Sequence, residues 1–93
     1  MTVEEALEIV DLALQYESLN NIQELIFRQS WEENTYVEIA QSVGYDPDYI
    51  RYVGYKLWQI LSKALGQKVT KNNFRFVLIQ LSSNQDKNYQ IQA

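Results

Sequence analysis

Asp48, Arg51, Tyr52, Tyr55, Lys56 and Gln59 follow one another at spacings of three, one, three, one and three, so on a helix turning about 100° per residue they gather on one side. Together they offer an anion, two cations, two phenol rings and an amide, a set suited to recognising another surface. On duplex DNA, Arg51 and Gln59 would reach base edges, Lys56 a phosphate, and Tyr52 and Tyr55 sugars or phosphates. On a protein, exposed tyrosines beside an arginine are the side chains that carry most binding energy. Asp46 and Asp48 weigh against DNA. They stand at the N-terminal end of that helix, the end by which a recognition helix usually approaches a duplex, where each meets phosphate repulsion.

Bond-making chemistry has little to work with. The 93 residues include no cysteine and no histidine, which excludes a disulfide framework, a zinc finger, a His-based acid–base pair and a Ser-His-Asp triad. No nucleophile has a neighbouring base, and no glycine-rich phosphate loop is present. Asp46-Pro47-Asp48 has the carboxylates for a cation, but no third one lies at calcium-loop spacing, and the trio reads as a helix start instead. The expectation is a protein that is not an enzyme and takes no cofactor, metal or small-molecule substrate.

The elements that must position these groups read as helices throughout. Thr2 and Glu5 form a capping box ahead of Val3, Leu7, Val10 and Leu14, which predicts a helix from about residue 3 to about 17. Its outer side carries Glu4, Glu8 and Asp11. Asn21 and Glu24 predict the start of a second helix with Ile22, Leu25, Ile26 and Gln29, ending near Ser30 and Trp31. Thr35 and Glu38 form a further capping box before Ile39, Ala40 and Val43, and Gly44 follows where a left-handed residue would end that short helix. Asp46 and Pro47 then start a long helix running to Leu65, closed by Gly66. Thr70 is expected to cap a last helix with Phe74, Val77, Leu78 and Leu81 on its apolar side.

The middle of the chain meets the packing demands of a helix-turn-helix. Ala40 is small where two helices must cross closely, Gly44 makes the sharp turn, and Ile50 and Val53 insert from the second helix against the first. Ile39, Val43 and Tyr45 are expected to fill the remaining inward positions. Ile50, Val53, Leu57, Leu61 and Ala64 make the core stripe of the long helix, opposite the six polar and aromatic residues above. Two of Tyr49, Tyr52 and Tyr55 are expected to cover rims of the core, ring inward and hydroxyl wet. Trp31 and Trp58 read as core or domain-seam residues. The whole predicts an all-α, compact helix-turn-helix bundle of about five helices.

Trp31, Thr35-Tyr36-Val37-Glu38-Ile39-Ala40, Gly44-Tyr45, the run Tyr49 to Trp58 and the run Leu65 to Arg75 together resemble the N-terminal helix-turn-helix domain of cyanobacterial signalling proteins of the vWA-MoxR-associated type. There the domain precedes an NB-ARC-like NTPase, WD40 repeats or another effector. The likeness spans about residues 1–80. More distantly, Glu-Ile-Ala followed by Gly is similar to region four of sigma factors. The resemblance implies an accessory module in NTP-dependent conflict or stress signalling, with a partner protein or an adjacent NTPase or effector domain, or alternatively duplex DNA, as its target. No Walker motif or repeat follows, so an excised domain or a free-standing relative is expected.

Charge divides the chain. In residues 1–34, Glu4, Glu5, Glu8, Asp11, Glu17, Glu24, Glu32 and Glu33 oppose Arg28 alone, a net of -7, while the remainder carries a net of +3, giving -4 overall. Two faces with different partners would show such an asymmetry, as would a solvated acidic helix. Lys63, Lys68, Lys71 and Arg75 are candidates for a basic patch near the last helix. No apolar run approaches the ~18 residues of a membrane span and no signal-peptide pattern opens the chain, so a cytoplasmic protein is expected. Residues 1–81 form the domain; the polar stretch 82–93 reads as a frayed tail or the start of a linker.

Overall fold

A computed structural model describes the backbone of residues 1–15 and 17–92, and their side chains as far as residue 83. Five helices follow in order: α1 (Val3–Ala13), α2 (Asn21–Trp31), α3 (Tyr36–Val43), α4 (Pro47–Leu65) and α5 (Phe74–Gln92). The fold is an all-α bundle. α4 is its axis, with α1, α2 and α3 packed against it and α5 lying on α1. No helix among the described residues is long and apolar enough to cross a membrane.

Each helix start has a local chemical cause. Thr2 and Glu5, and likewise Thr35 and Glu38, exchange side-chain and backbone hydrogen bonds, so the otherwise orphaned first N–H groups of α1 and α3 find acceptors. At α2 the capping pair is Asn20 with Gln23, one residue earlier than the expected Asn21 and Glu24. Two adjacent asparagines satisfy the pattern equally well, and the helix buries Ile26, Phe27, Ser30 and Trp31. Asp46 Oδ1 accepts from the Asp48 N–H at 2.7 Å, with Pro47 in the first turn of α4.

Helix ends account for most departures from the sequence reading. α1 stops at Ala13, short of residue 17, because Gln15 adopts φ 54° and turns the chain back without a glycine. Glu33 does the same after α2 at φ 68°. α5 begins at Phe74, and Thr70 is not its side-chain cap. The Thr70 carbonyl accepts from the Phe74 N–H at 3.0 Å, while Asn73 Oδ1 accepts from the Thr70 N–H at 2.7 Å, so Asn73 holds a preliminary turn together. The stretch expected to fray from Ser82 continues as helix in its backbone to Gln92; the side chains after residue 83 lie outside the described residues.

The core is aromatic at its centre. Phe74 meets Phe27 at 5.0 Å and Trp31 at 5.9 Å, both edge-on, and Trp58 at 4.8 Å, so one ring joins α2, α4 and α5. Ala6, Val10, Ile26, Ile39, Ile50, Leu57, Leu61 and Leu78 surround this group, all but removed from water. Burying each of the larger ones stabilises the fold by about 1.5–3 kcal/mol. Two cations then fasten the connection after α2 to the start of α5. Arg75 donates to the Trp31 carbonyl at 3.0 Å with its guanidinium over the Trp31 ring, and Lys71 donates to the Asn34 carbonyl at 2.7 Å.

The turn of the helix-turn-helix comprises Gly44, Tyr45 and Asp46. Gly44 has φ 73° and its N–H donates to the Ala40 carbonyl. Ala40 and Ile50 are buried and Val53 is half-buried. Val43 and Tyr45, expected to point inward, are exposed, Tyr45 by 51%. α3 is only eight residues long, so Val43 falls on its last turn beyond the crossing, and the left-handed step at Gly44 swings Tyr45 outward to rest edge-on against Tyr49 at 5.6 Å.

Two expected outcomes follow from this geometry. A Cβ at Gly44 meets nothing within 4 Å, so Gly44→Val isolates the backbone cost. It should destabilise by more than ~1 kcal/mol, because β-branched residues fit left-handed space poorly; a thermal melt followed by circular dichroism reads this, and an unchanged midpoint would contradict the turn geometry. Hydrogen bonds, first from the backbone N–H groups of Thr2 and Thr35, hold Glu5 and Glu38 below the ordinary 4.5, and Arg28 does the same for Glu4. Groups depressed in the folded state contribute stability above the ordinary value and lose it as pH falls through the folded one. Melting temperature should therefore be level above 4.5 and decline below it, and Glu38→Gln, which removes one of these titrating carboxyls, should flatten that decline.

Candidate functional site

Asp48, Arg51, Tyr52, Tyr55, Lys56 and Gln59 all lie exposed along α4, on the side away from Ile50, Leu57 and Leu61. Tyr52 and Tyr55 are each 60% exposed. None of Tyr49, Tyr52 and Tyr55 is buried as a core rim: Tyr49 packs on Tyr45, and Tyr52 lies under the Lys56 ammonium, 5.7 Å from the ring centre. Helical spacing explains this, because the positions between the aromatics already carry the buried Gly54 and Leu57 and leave the tyrosines no inward room. A shallow depression of about 490 Å³ borders this end of α4, lined by Val43, Tyr45 and Tyr49 with Asn20, Ile22 and Leu25.

Electrostatics at the head of α4 are self-compensating. Arg51 Nη1 donates to Asp48 Oδ1 at 2.7 Å, so the face's one guanidinium is already matched by a carboxylate. Both groups are exposed, and such a pair contributes only about 0–1 kcal/mol to stability. Its effect on recognition is larger, because the local field that would draw a phosphate is reduced. Asp46 and Asp48 serve the helix start, and no group of three potential metal ligands occurs among the described residues.

The expected basic patch divides into two pairs with different duties. Lys71 and Arg75 are engaged within the fold, as described above. Lys63 and Lys68 are exposed and make no ion pair among the described residues. They flank a groove of about 780 Å³ between the second half of α4 and the loop leading to α5. Tyr55 and Gln59 form its edge, Trp58, Tyr36 and Val69 its floor. Ser62 fixes the far wall: its hydroxyl donates to the Trp58 carbonyl at 2.7 Å and accepts from the Val69 N–H at 2.7 Å.

Sequence reasoning left this groove, and the contact beneath it, out of view. Tyr36 lies across α4 so closely that a Cβ on Gly54 would stand 2.7 Å from its ring and 2.9 Å from its hydroxyl oxygen. That hydroxyl accepts from the Trp58 indole N–H at 2.8 Å, and the Lys71 ammonium lies 5.4 Å from the Tyr36 ring centre. The one available signal was Gly54 itself: an interior helix glycine costs about 1 kcal/mol against alanine, and close approach of another group is the usual return.

No curated protein and no solved structure matches the chain. The family described as vWA-MoxR associated protein N-terminal HTH matches residues 1–81, which takes in α1 to α4 and the apolar part of α5. With the helix-turn-helix geometry in place over that same span, the chain belongs to this family of N-terminal helix-turn-helix domains of vWA-MoxR associated proteins.

Proposed function

We propose that this domain is a non-enzymatic adaptor or sensor module of an NTP-dependent signalling or conflict system in the cytoplasm, and that it binds a partner protein through the exposed face of α4. Asp48, Arg51, Tyr52, Tyr55, Lys56 and Gln59 are the contact residues. The observation that carries this reading is the pairing of two 60% exposed tyrosines with an arginine whose charge is met by Asp48. Aromatic rings bury large area at low entropic cost and dominate protein interfaces. A DNA-reading helix instead needs uncompensated positive charge near its start, where this one carries Asp46 and Asp48.

Duplex DNA is the second reading, favoured by the helix-turn-helix itself, since α4 is the helix that enters the major groove in DNA-binding versions of the motif. Two titrations separate the readings. Mixed-sequence duplex should bind no tighter than the non-specific range of about 10⁻⁴ to 10⁻⁶ M at physiological salt. With the effector domain of a vWA-MoxR associated protein as titrant, Tyr52→Ala and Tyr55→Ala should each cost ~1–3 kcal/mol of binding, with a weak salt dependence. Sub-micromolar, sequence-dependent duplex binding, with a salt slope that falls by about one in Arg51→Ala and in Lys56→Ala, would overturn the proposal in favour of DNA.

A further inference from the structure

The groove flanked by Lys63 and Lys68 is a second recognition feature, distinct from the tyrosine face although Tyr55 and Gln59 stand on the border of both. Its floor is aromatic and aliphatic. Trp58 is 6% exposed and packs on Phe74, so it forms a rigid base of which only an edge reaches the groove, and Tyr36 and the 60% exposed Tyr55 supply ring surface above it. Its volume of about 780 Å³ leaves room for a large apolar side chain entering from the open side.

Charge around this floor is unbalanced in one direction. Arg28 is paired with Glu4 and Glu24, and Arg51 with Asp48. Lys71 and Arg75 donate to main-chain carbonyls. Lys63 and Lys68, both in the lining of the groove, have no carboxylate partner among the described residues. Position in the last turn of α4 gives Lys63 a favourable interaction with the helix dipole. Lys68 lies in the following loop, past Gly66, and gains nothing from that source.

We infer that this groove receives an acidic segment of the partner protein, in which a large apolar side chain sits between carboxylates: the apolar group packs against Tyr36 and Tyr55 above Trp58 and Val69, and the carboxylates meet Lys63 and Lys68. This rests on the protein-binding reading above and adds the chemistry of the partner. An open, largely apolar groove with two unpaired lysines in its lining does not suit a nucleic-acid backbone, which asks for a continuous run of cations along its phosphates. It suits a short peptide, which brings its anchor and its charges together.

The test uses the 93-residue chain and two capped peptides, Gly-Asp-Glu-Leu-Phe-Asp-Glu-Gly and the same peptide with every acid replaced by lysine. Neither contains tryptophan, so the indole N–H resonance of Trp58 in a ¹H–¹⁵N spectrum reports the groove floor directly. The acidic peptide should shift that resonance and the amides of residues 67–72 saturably, and the lysine peptide should bind at least about tenfold more weakly. Exposed Lys63→Gln with Lys68→Gln should keep the fold by circular dichroism and lose about tenfold in affinity for the acidic peptide. Tyr52→Ala should leave peptide binding unchanged, which separates this groove from the tyrosine face. If the acidic peptide gives no saturable shift at Trp58, or the double lysine variant binds it as well as the parent, the inference fails while the tyrosine-face proposal stands. Duplex DNA, or a second copy seen by sedimentation, shifting the same resonances more strongly than the peptide would overturn it too.

Discussion

The hydroxyl of Tyr36 accepts the indole N–H of Trp58 across a gap that exists only because residue 54 has no side chain. This contact sets how closely α3 can lie on α4, and the rest of the domain is arranged around it. Trp58 presses on Phe74 from the other side, and Phe74 in turn gathers Phe27 and Trp31. A single chain of rings therefore runs from the helix-turn-helix through the core to α5. A buried indole N–H without an acceptor would cost about 1–3 kcal/mol, so the tyrosine is fixed in place as much by the tryptophan's need as by its own packing.

That constraint also shapes the outer surface. With Ile50, Gly54, Leu57, Trp58 and Leu61 committed inward, α4 has a wide buried side, and its tyrosines are left facing water along the remainder. One helix thus supplies both the core and the face proposed for recognition. The groove beside that face has Trp58 for its floor, so its shape is inherited from the packing beneath. Charge follows the same economy: Arg51, Lys71 and Arg75 are used locally, while Lys56, Lys63 and Lys68 make no ion pair among the described residues.

Much of this was legible in the residues. Capping boxes at Thr2 and Thr35, the left-handed Gly44 and the Asp46-Pro47 start are local signals, read from side chains bonding to their own neighbours, and they place α1, α3 and α4 correctly at those ends. The exposed positions of Asp48 to Gln59 follow from helical spacing alone. What escaped the sequence depends on distant partners. Lys71 and Arg75 looked like surface charges until the connection after α2 brought the carbonyls of Asn34 and Trp31 to them. Phe27 reached the core because Phe74 of α5 packs edge-on against it, which α2's own sequence does not show. Tyr45 turned outward because the left-handed step at Gly44 swings it away from the core, and the pairing of Tyr36 with Trp58 spans 22 residues that only tertiary packing joins.

The most direct measurement is the Trp58 indole N–H resonance in Gly54→Ala. The new methyl group must displace Tyr36, so the account predicts a large shift of that resonance with little change in the Trp31 indole. Overall stability should fall by about 0–2 kcal/mol, because orphaning the indole N–H costs about 1–3 kcal/mol and the gain in helix propensity returns only about 1. A Trp58 indole resonance unmoved by the substitution, with the melting temperature raised by the full propensity gain, would contradict the account.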